Sequence, residues 1–137
     1  GLVYSSAVRK LVTRLGEGGI AQFGSLLIAA GCIVMSQLGQ WWMAIGGIFF
    51  FGLGYFAMHG SLQTRATELK PELRATAVSL FAFMFFVGQA VGPIIFGQIK
   101  AASGYTAAFL VNCVVIAALG TVLNIYFKKT RKLPAKA

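Results

Sequence analysis

Tyr55, His59 and Gln63 recur at four-residue spacing, which in a helix places a phenol, an imidazole and an amide on one face. Such a stripe could line a cavity and hydrogen-bond a small solute, and imidazole is the side chain that exchanges a proton near neutral pH. The plainer use of His59 is hydration at an interface, since a polar loop follows closely. Gln89 stands within the apolar run FAFMFFVGQAVGPIIFGQI, residues 81–99. An amide at that depth turns toward a bundle interior or a wet cavity rather than toward lipid. Binding a solute and hydrogen-bonding a neighbouring helix would both satisfy it. The chain has no HExxH, Walker A loop, GxSxG or dinucleotide fingerprint. Cys32 and Cys113 show neither metal-ligand nor redox spacing. These residue types imply no enzyme, no metal and no cofactor.

The elements that must hold these groups are membrane helices. Residues 19–37, 41–58, 75–99 and 107–127 contain no Asp, Glu, Lys or Arg, within a chain that is 58% hydrophobic and 11% charged. A hydrocarbon core of about 30 Å needs roughly 20 helical residues, and each run is near or above that length. The expected organisation is the end of a preceding helix and a basic cytoplasmic loop at 1–18, four spans at about 19–37, 41–60, 75–99 and 107–127, and a basic cytoplasmic tail at 128–137. Alternating crossings put eleven of the twelve Lys and Arg residues on one side, leaving only Lys100 opposite. That bias predicts a cytoplasmic location for both termini and for the central loop. Trp41 and Trp42 fit an outer interfacial belt, and the Ser103-Gly104 pair marks a turn between the last two spans.

The net charge of +9 flanks apolar spans instead of forming a basic stripe with exposed aromatics, so the partner it implies is the lipid bilayer and not nucleic acid. Pro71 is placed to open the third helix, with Glu72 in its first turn. Within that helix Gly88 and Gly92 form a GxxxG pair that would let another helix approach, extended by Gly97. Pro93 removes a backbone hydrogen bond and predicts a kink.

The run GLGYFAMHGSLQTRATELKPELRATAVSLFAFMFFVGQAVGPIIFGQI, residues 52–99, resembles the tenth and eleventh helices of bacterial major facilitator superfamily transporters, in particular the twelve-helix drug and sugar efflux permeases. LVTRLGEGGIA, residues 11–21, is similar to the basic loop and start of the ninth helix in those proteins. Pro71, Arg74, Ser79, Gly88, Gln89, Gly92 and Pro93 carry the match, while Ala75 stands where many relatives have glycine. The resemblance implies an all-α membrane protein whose four transmembrane helices form part of the C-terminal six-helix half of a major facilitator fold. It also implies that the first seven helices and most of the eighth are missing, in keeping with a start at Gly1 and not methionine.

By the same resemblance, Tyr55, His59 and Gln89 are substrate-cavity candidates. Arg65, Glu68, Pro71 and Arg74 form a cytoplasmic gate loop, with ion pairs among Arg65, Glu68 and Arg74 that break as the halves rock apart. Gly88, Gly92 and Pro93 serve helix packing and hinging. The implied function is proton-coupled efflux of a small-molecule substrate by alternating access in the bacterial inner membrane. The missing N-terminal half would be a required partner, so the fragment alone should not transport. A complete four-helix multidrug transporter is the rival, although it normally needs a membrane-embedded glutamate and none is present here. A non-transporting membrane subunit is the other.

Overall fold

Backbone amides in hydrocarbon find partners only along their own chain, and the apolar runs are helical for that reason. The computed structural model describes residues 2–37, 39–68 and 71–131, with side chains described over 16–37, 39–68 and 72–130. Helix α1 spans Leu2–Ser36, α2 spans Trp41–Glu68, a 3-10 turn covers Pro71–Leu73, and α3 spans Arg74–Arg131. Lys70 and tail residues 132–137 lie outside the described residues, as do the side chains of Arg9, Lys10, Arg14, Pro71 and Arg131. Gly16–Ser36, Trp41–Glu68 and Arg74–Thr130 are each long and apolar enough to cross a membrane.

Three long helices therefore stand where the sequence predicts four. The third runs through the expected connector at residues 100–106 and leaves helical geometry at Gly104 (φ 82°, ψ 174°). A straight helix of 58 residues would be about 87 Å long, far more than a bilayer's thickness. Instead the chain doubles back: the rings of Phe96 and Phe109 lie 5.2 Å apart, on opposite sides of the break. Ala101 and Ala102 favour helix, so a single glycine makes the whole reversal. We refer to residues 74–103 and 105–131 as the first and second limbs of α3.

The conformation at Gly104 is one that essentially only glycine adopts, and a side chain there costs about 1–3 kcal/mol. Gly104→Ala is expected to lower the thermal unfolding midpoint of the detergent-purified protein, whereas Ser103→Ala is not. Equal midpoints would remove Gly104 as the determinant of the reversal.

The basic segment at 1–18, expected to hold the end of a preceding helix and a cytoplasmic loop, is helical over residues 2–15. Its break comes at Gly16 (φ 67°, ψ 172°), in nearly the same backbone conformation as Gly104. Glu17 thereby enters the first turn of the membrane segment, where the helix dipole favours a carboxylate.

Helix α1 is the central element. Its buried face, Ala21, Ser25, Ile28 and Cys32, repeats at helical spacing, and Ile28 and Cys32 cluster with Met58 of α2. Gly24 and Gly31 on α1 oppose Gly54 and Gly47 on the antiparallel α2. A Cβ at Gly24 would stand 2.7 Å from the Gly54 carbonyl oxygen, and one at Gly31 would stand 2.7 Å from that of Gly47. On its other side α1 meets the second limb of α3 through polar groups. Gln22 Nε2 donates to Thr121 Oγ1 at 3.4 Å, Thr106 Oγ1 donates to the Ser36 carbonyl at 3.2 Å, and Gly120 abuts Ser25.

The predicted glycine seam on the third span is not used in this way. Positions Gly88, Gly92 and Gly97 have nothing within 4 Å of where a Cβ would be, so among the described residues no helix packs on them. Pro93 stays inside α3, whose departure from helical φ/ψ is at Gly104 and not at the Gly92-Pro93 step. The first limb meets the rest through bulky aromatic side chains, which hold it away from α1 and leave space between.

Candidate functional site

That space is a cavity of about 610 Å³ lined from all four helical segments. Ile28 contributes from α1, Tyr55, Met58 and His59 from α2, Phe85 and Gln89 from the first limb of α3, and Ile116 and Leu119 from the second. The three substrate-cavity candidates read from sequence thus line the same cavity, Tyr55 and His59 from α2 and Gln89 from the first limb of α3. They are the polar side chains of a lining that otherwise consists of aliphatic and aromatic groups, Met and Gly88. The four-residue spacing brings Tyr55 and His59 to the cavity, but Gln63, next on the same stripe, is exposed and outside it.

The imidazole of His59 is enclosed by rings. It stacks on Tyr55 at a centroid distance of 5.4 Å and an interplanar angle of 16°. Phe81 and Phe85 meet it at 5.3 and 4.9 Å, tilted by 49° and 59°. Such offset and tilted arrangements are those that aromatic quadrupoles prefer, so the cluster holds His59 in a defined orientation. Among the described residues no hydrogen bond joins the side chains of Tyr55, His59 or Gln89 to another protein group, which leaves their polar atoms available to an occupant.

A second cluster lies where α2 and the second limb of α3 end beside the Gly16 break of α1. Arg65 Nη1 donates to Glu17 Oε2 at 2.6 Å, and Nη2 donates to Thr130 Oγ1 at 2.7 Å. The guanidinium also sits 4.4 Å from the ring centroid of Phe127, and Ser61 Oγ donates to the Glu17 carbonyl at 3.1 Å. One arginine therefore ties three segments.

This arrangement corrects two expectations. Arg65 and Glu68 lie on the last turns of α2, which continues past residue 60, and not in a loop. Arg65 pairs with Glu17 and not with Glu68, while Arg74, the first residue of α3, donates from Nε to the Thr67 carbonyl at 3.0 Å. Pro71 opens the 3-10 turn that leads into α3. Of the helix-packing candidates, Gly88 lines the large cavity. Gly92 lines a smaller one of about 270 Å³ between the two limbs of α3, where Asn112 is the polar neighbour.

Sequence reasoning passed over Glu17, Asn112 and Asn124. Asn124 Oδ1 is buried near Gly18 without a hydrogen-bond partner among the described residues. Its signal was available: Gln22 and Ser25 on one span, and Thr121 and Asn124 on another, are polar pairs at helical spacing inside charge-free runs. Among the described residues no group of His, Cys, Asp or Glu could hold a metal ion.

Comparison with curated proteins finds no match, and comparison with solved structures finds none. The family model for the Major Facilitator Superfamily matches residues 5–137. Helices able to cross a membrane and a match over nearly every residue lead to one assignment. This is a multi-pass membrane protein in contact with the lipid bilayer, and it belongs to the Major Facilitator Superfamily of membrane transporters.

Proposed function

We propose that this chain supplies the last four membrane crossings, the ninth to the twelfth helix, of a secondary active exporter of small molecules in a bacterial inner membrane. The spanning part of α1, α2 and the two limbs of α3 are the crossings, with both ends of the chain cytoplasmic. The observation that carries this reading is the cavity itself. Tyr55, His59 and Gln89 offer hydrogen bonds on a wall with no fixed charge, in a chain of a transporter family. A preceding six-helix half would close the open side of the cavity.

Alternating access then requires a contact that forms and breaks at one end of the bundle. The Glu17–Arg65–Thr130 cluster lies at the end bearing the basic segments and is suited to that role. The charge-free runs contain no carboxylate, Glu17 at the edge of the first is paired with Arg65, and the proton-carrying acid is therefore assigned to the part of the protein that precedes this chain.

Two measurements test the reading. Cysteine replacing Lys100 should react with an impermeant maleimide added to intact cells, and cysteine replacing Lys70 only after permeabilisation. Labelling of both from the same side would overturn the four crossings. Inverted vesicles carrying the whole gene product should move substrate in response to an imposed pH gradient. In them Gln89→Leu should weaken apparent affinity about tenfold, the size of one hydrogen bond. Full transport by residues 1–137 alone would instead support a complete four-helix transporter.

A further inference from the structure

We infer that the occupant of the 610 Å³ cavity is an uncharged aromatic molecule carrying one or two hydrogen-bonding groups, and not a sugar or an organic ion. This deepens the cavity reading above and rests on it for location. The volume falls in the range of drug-sized ligand sites, about 300–1,000 Å³. The lining that this chain supplies contains no Asp, Glu, Lys or Arg, so no residue on this side of the cavity would compensate a buried charge of either sign. A sugar would need a partner for each of its many hydroxyls, and this chain's side of the cavity has three polar side chains to offer.

Aromatic rings alone could favour a cation. Here, however, three of the four lining rings are already engaged with His59: Tyr55 stacks on it, and Phe81 and Phe85 meet it within 5.3 Å. That leaves Phe51 and the amide of Gln89 to an occupant, one ring and not a cage of several. A flat apolar ring system fits beside Phe51, and the amide fixes its polar end.

Photolabelling with benzophenone, itself an uncharged aromatic ketone, tests this, because the excited ketone couples preferentially to methionine C–H groups. Met58, on the cavity floor, is buried, whereas Met43 lies outside the cavity and is more accessible from the surroundings. In native membranes containing the full gene product, the adduct at Met58 should exceed that at Met43. Excess 2-naphthol should suppress it several-fold, while glucose and tetraphenylphosphonium should not. Phe85→Ala should weaken the Met58 adduct without raising that at Met43.

Labelling at Met43 equal to or above Met58 would mean simple partitioning into lipid, or a cavity filled by another helix, and would overturn the inference. Suppression by tetraphenylphosphonium or glucose as strong as by naphthol would overturn it as well. The labelling reads binding only. A Met58 adduct in vesicles that show no gradient-driven transport sinks the exporter and leaves the site, whereas transport with uniform labelling does the reverse.

Discussion

Gly54→Leu should abolish the monodisperse peak of the detergent-solubilised protein in size-exclusion chromatography. A side chain at this position would press into the carbonyl of Gly24 and stand 2.7 Å from the Ile28 amide nitrogen, both of them backbone atoms that cannot rotate away. The helices would have to separate, and in lipid that loss is severe, because close packing and not water exclusion holds membrane helices together. Overpacking of a tight interior costs about 1–3 kcal/mol, and more where backbone must move, so a loss above 3 kcal/mol is expected.

Gly31→Leu should behave in the same way, since its Cβ would meet Gly47 and Phe51 backbone. Gly46→Leu and Gly52→Leu are the controls, as nothing lies within 4 Å of either position. The seam also positions the cavity floor, because Ile28 and Met58 are its immediate neighbours. A milder Gly54→Ala should therefore reduce binding in the cavity before it unfolds the protein. If Gly54→Leu elutes and melts like the parent, the close α1–α2 approach is wrong.

The glycines also show where sequence stops being informative. A glycine in a membrane helix permits close approach, but only the tertiary fold decides which glycines are used. The GxxxG pair at Gly88 and Gly92 is the conspicuous motif, yet the seam forms through Gly24, Gly31, Gly47 and Gly54 at seven-residue spacing. Charge-free runs report where the chain meets lipid and not where a helix ends. That is why α2 continues through the mostly polar stretch 61–68, and why α3 passes through residues 100–103 before Gly104 turns it.

The grouping of Tyr55, His59 and Gln89 was more legible. Polar groups inside apolar runs have few places to point, and the helical period puts Tyr55 and His59 together. Gln89 joins them because it too must avoid lipid. The aromatic enclosure of His59 by Phe81 and Phe85 could not be read, since it depends on the register between α2 and the first limb of α3. Nor could the acid that pairs with Arg65, which lies 48 residues away.

Arg65→Ala is the second change expected to have a large effect, and its size distinguishes a clamp from an ordinary ion pair. An exposed pair contributes about 0–1 kcal/mol. The Arg65 and Glu17 side chains are 29% and 36% exposed, so part of that screening is lost. Charge-assisted hydrogen bonds to two groups contribute about 1.5–3 kcal/mol and the cation–π contact about 0.5–1 kcal/mol. After discounting for exposure, removal of all three should cost about 3 kcal/mol.

Arg65→Lys should recover only part of this, because a single ammonium cannot span Glu17 and Thr130 as the guanidinium fork does. Glu17→Gln should be milder than Arg65→Ala, since Thr130 and Phe127 still hold the guanidinium. The double variant should fall short of the sum of the two. Thermal unfolding of the purified variants reads these differences, and strict additivity would mean that Arg65 and Glu17 are not coupled. If the cluster is also the cytoplasmic gate, a cysteine at Leu62 should become more reactive from the cytoplasm in Arg65→Ala than in Gly104→Ala. Loosening the fold elsewhere would not open that end, whereas releasing the one arginine that ties three segments would.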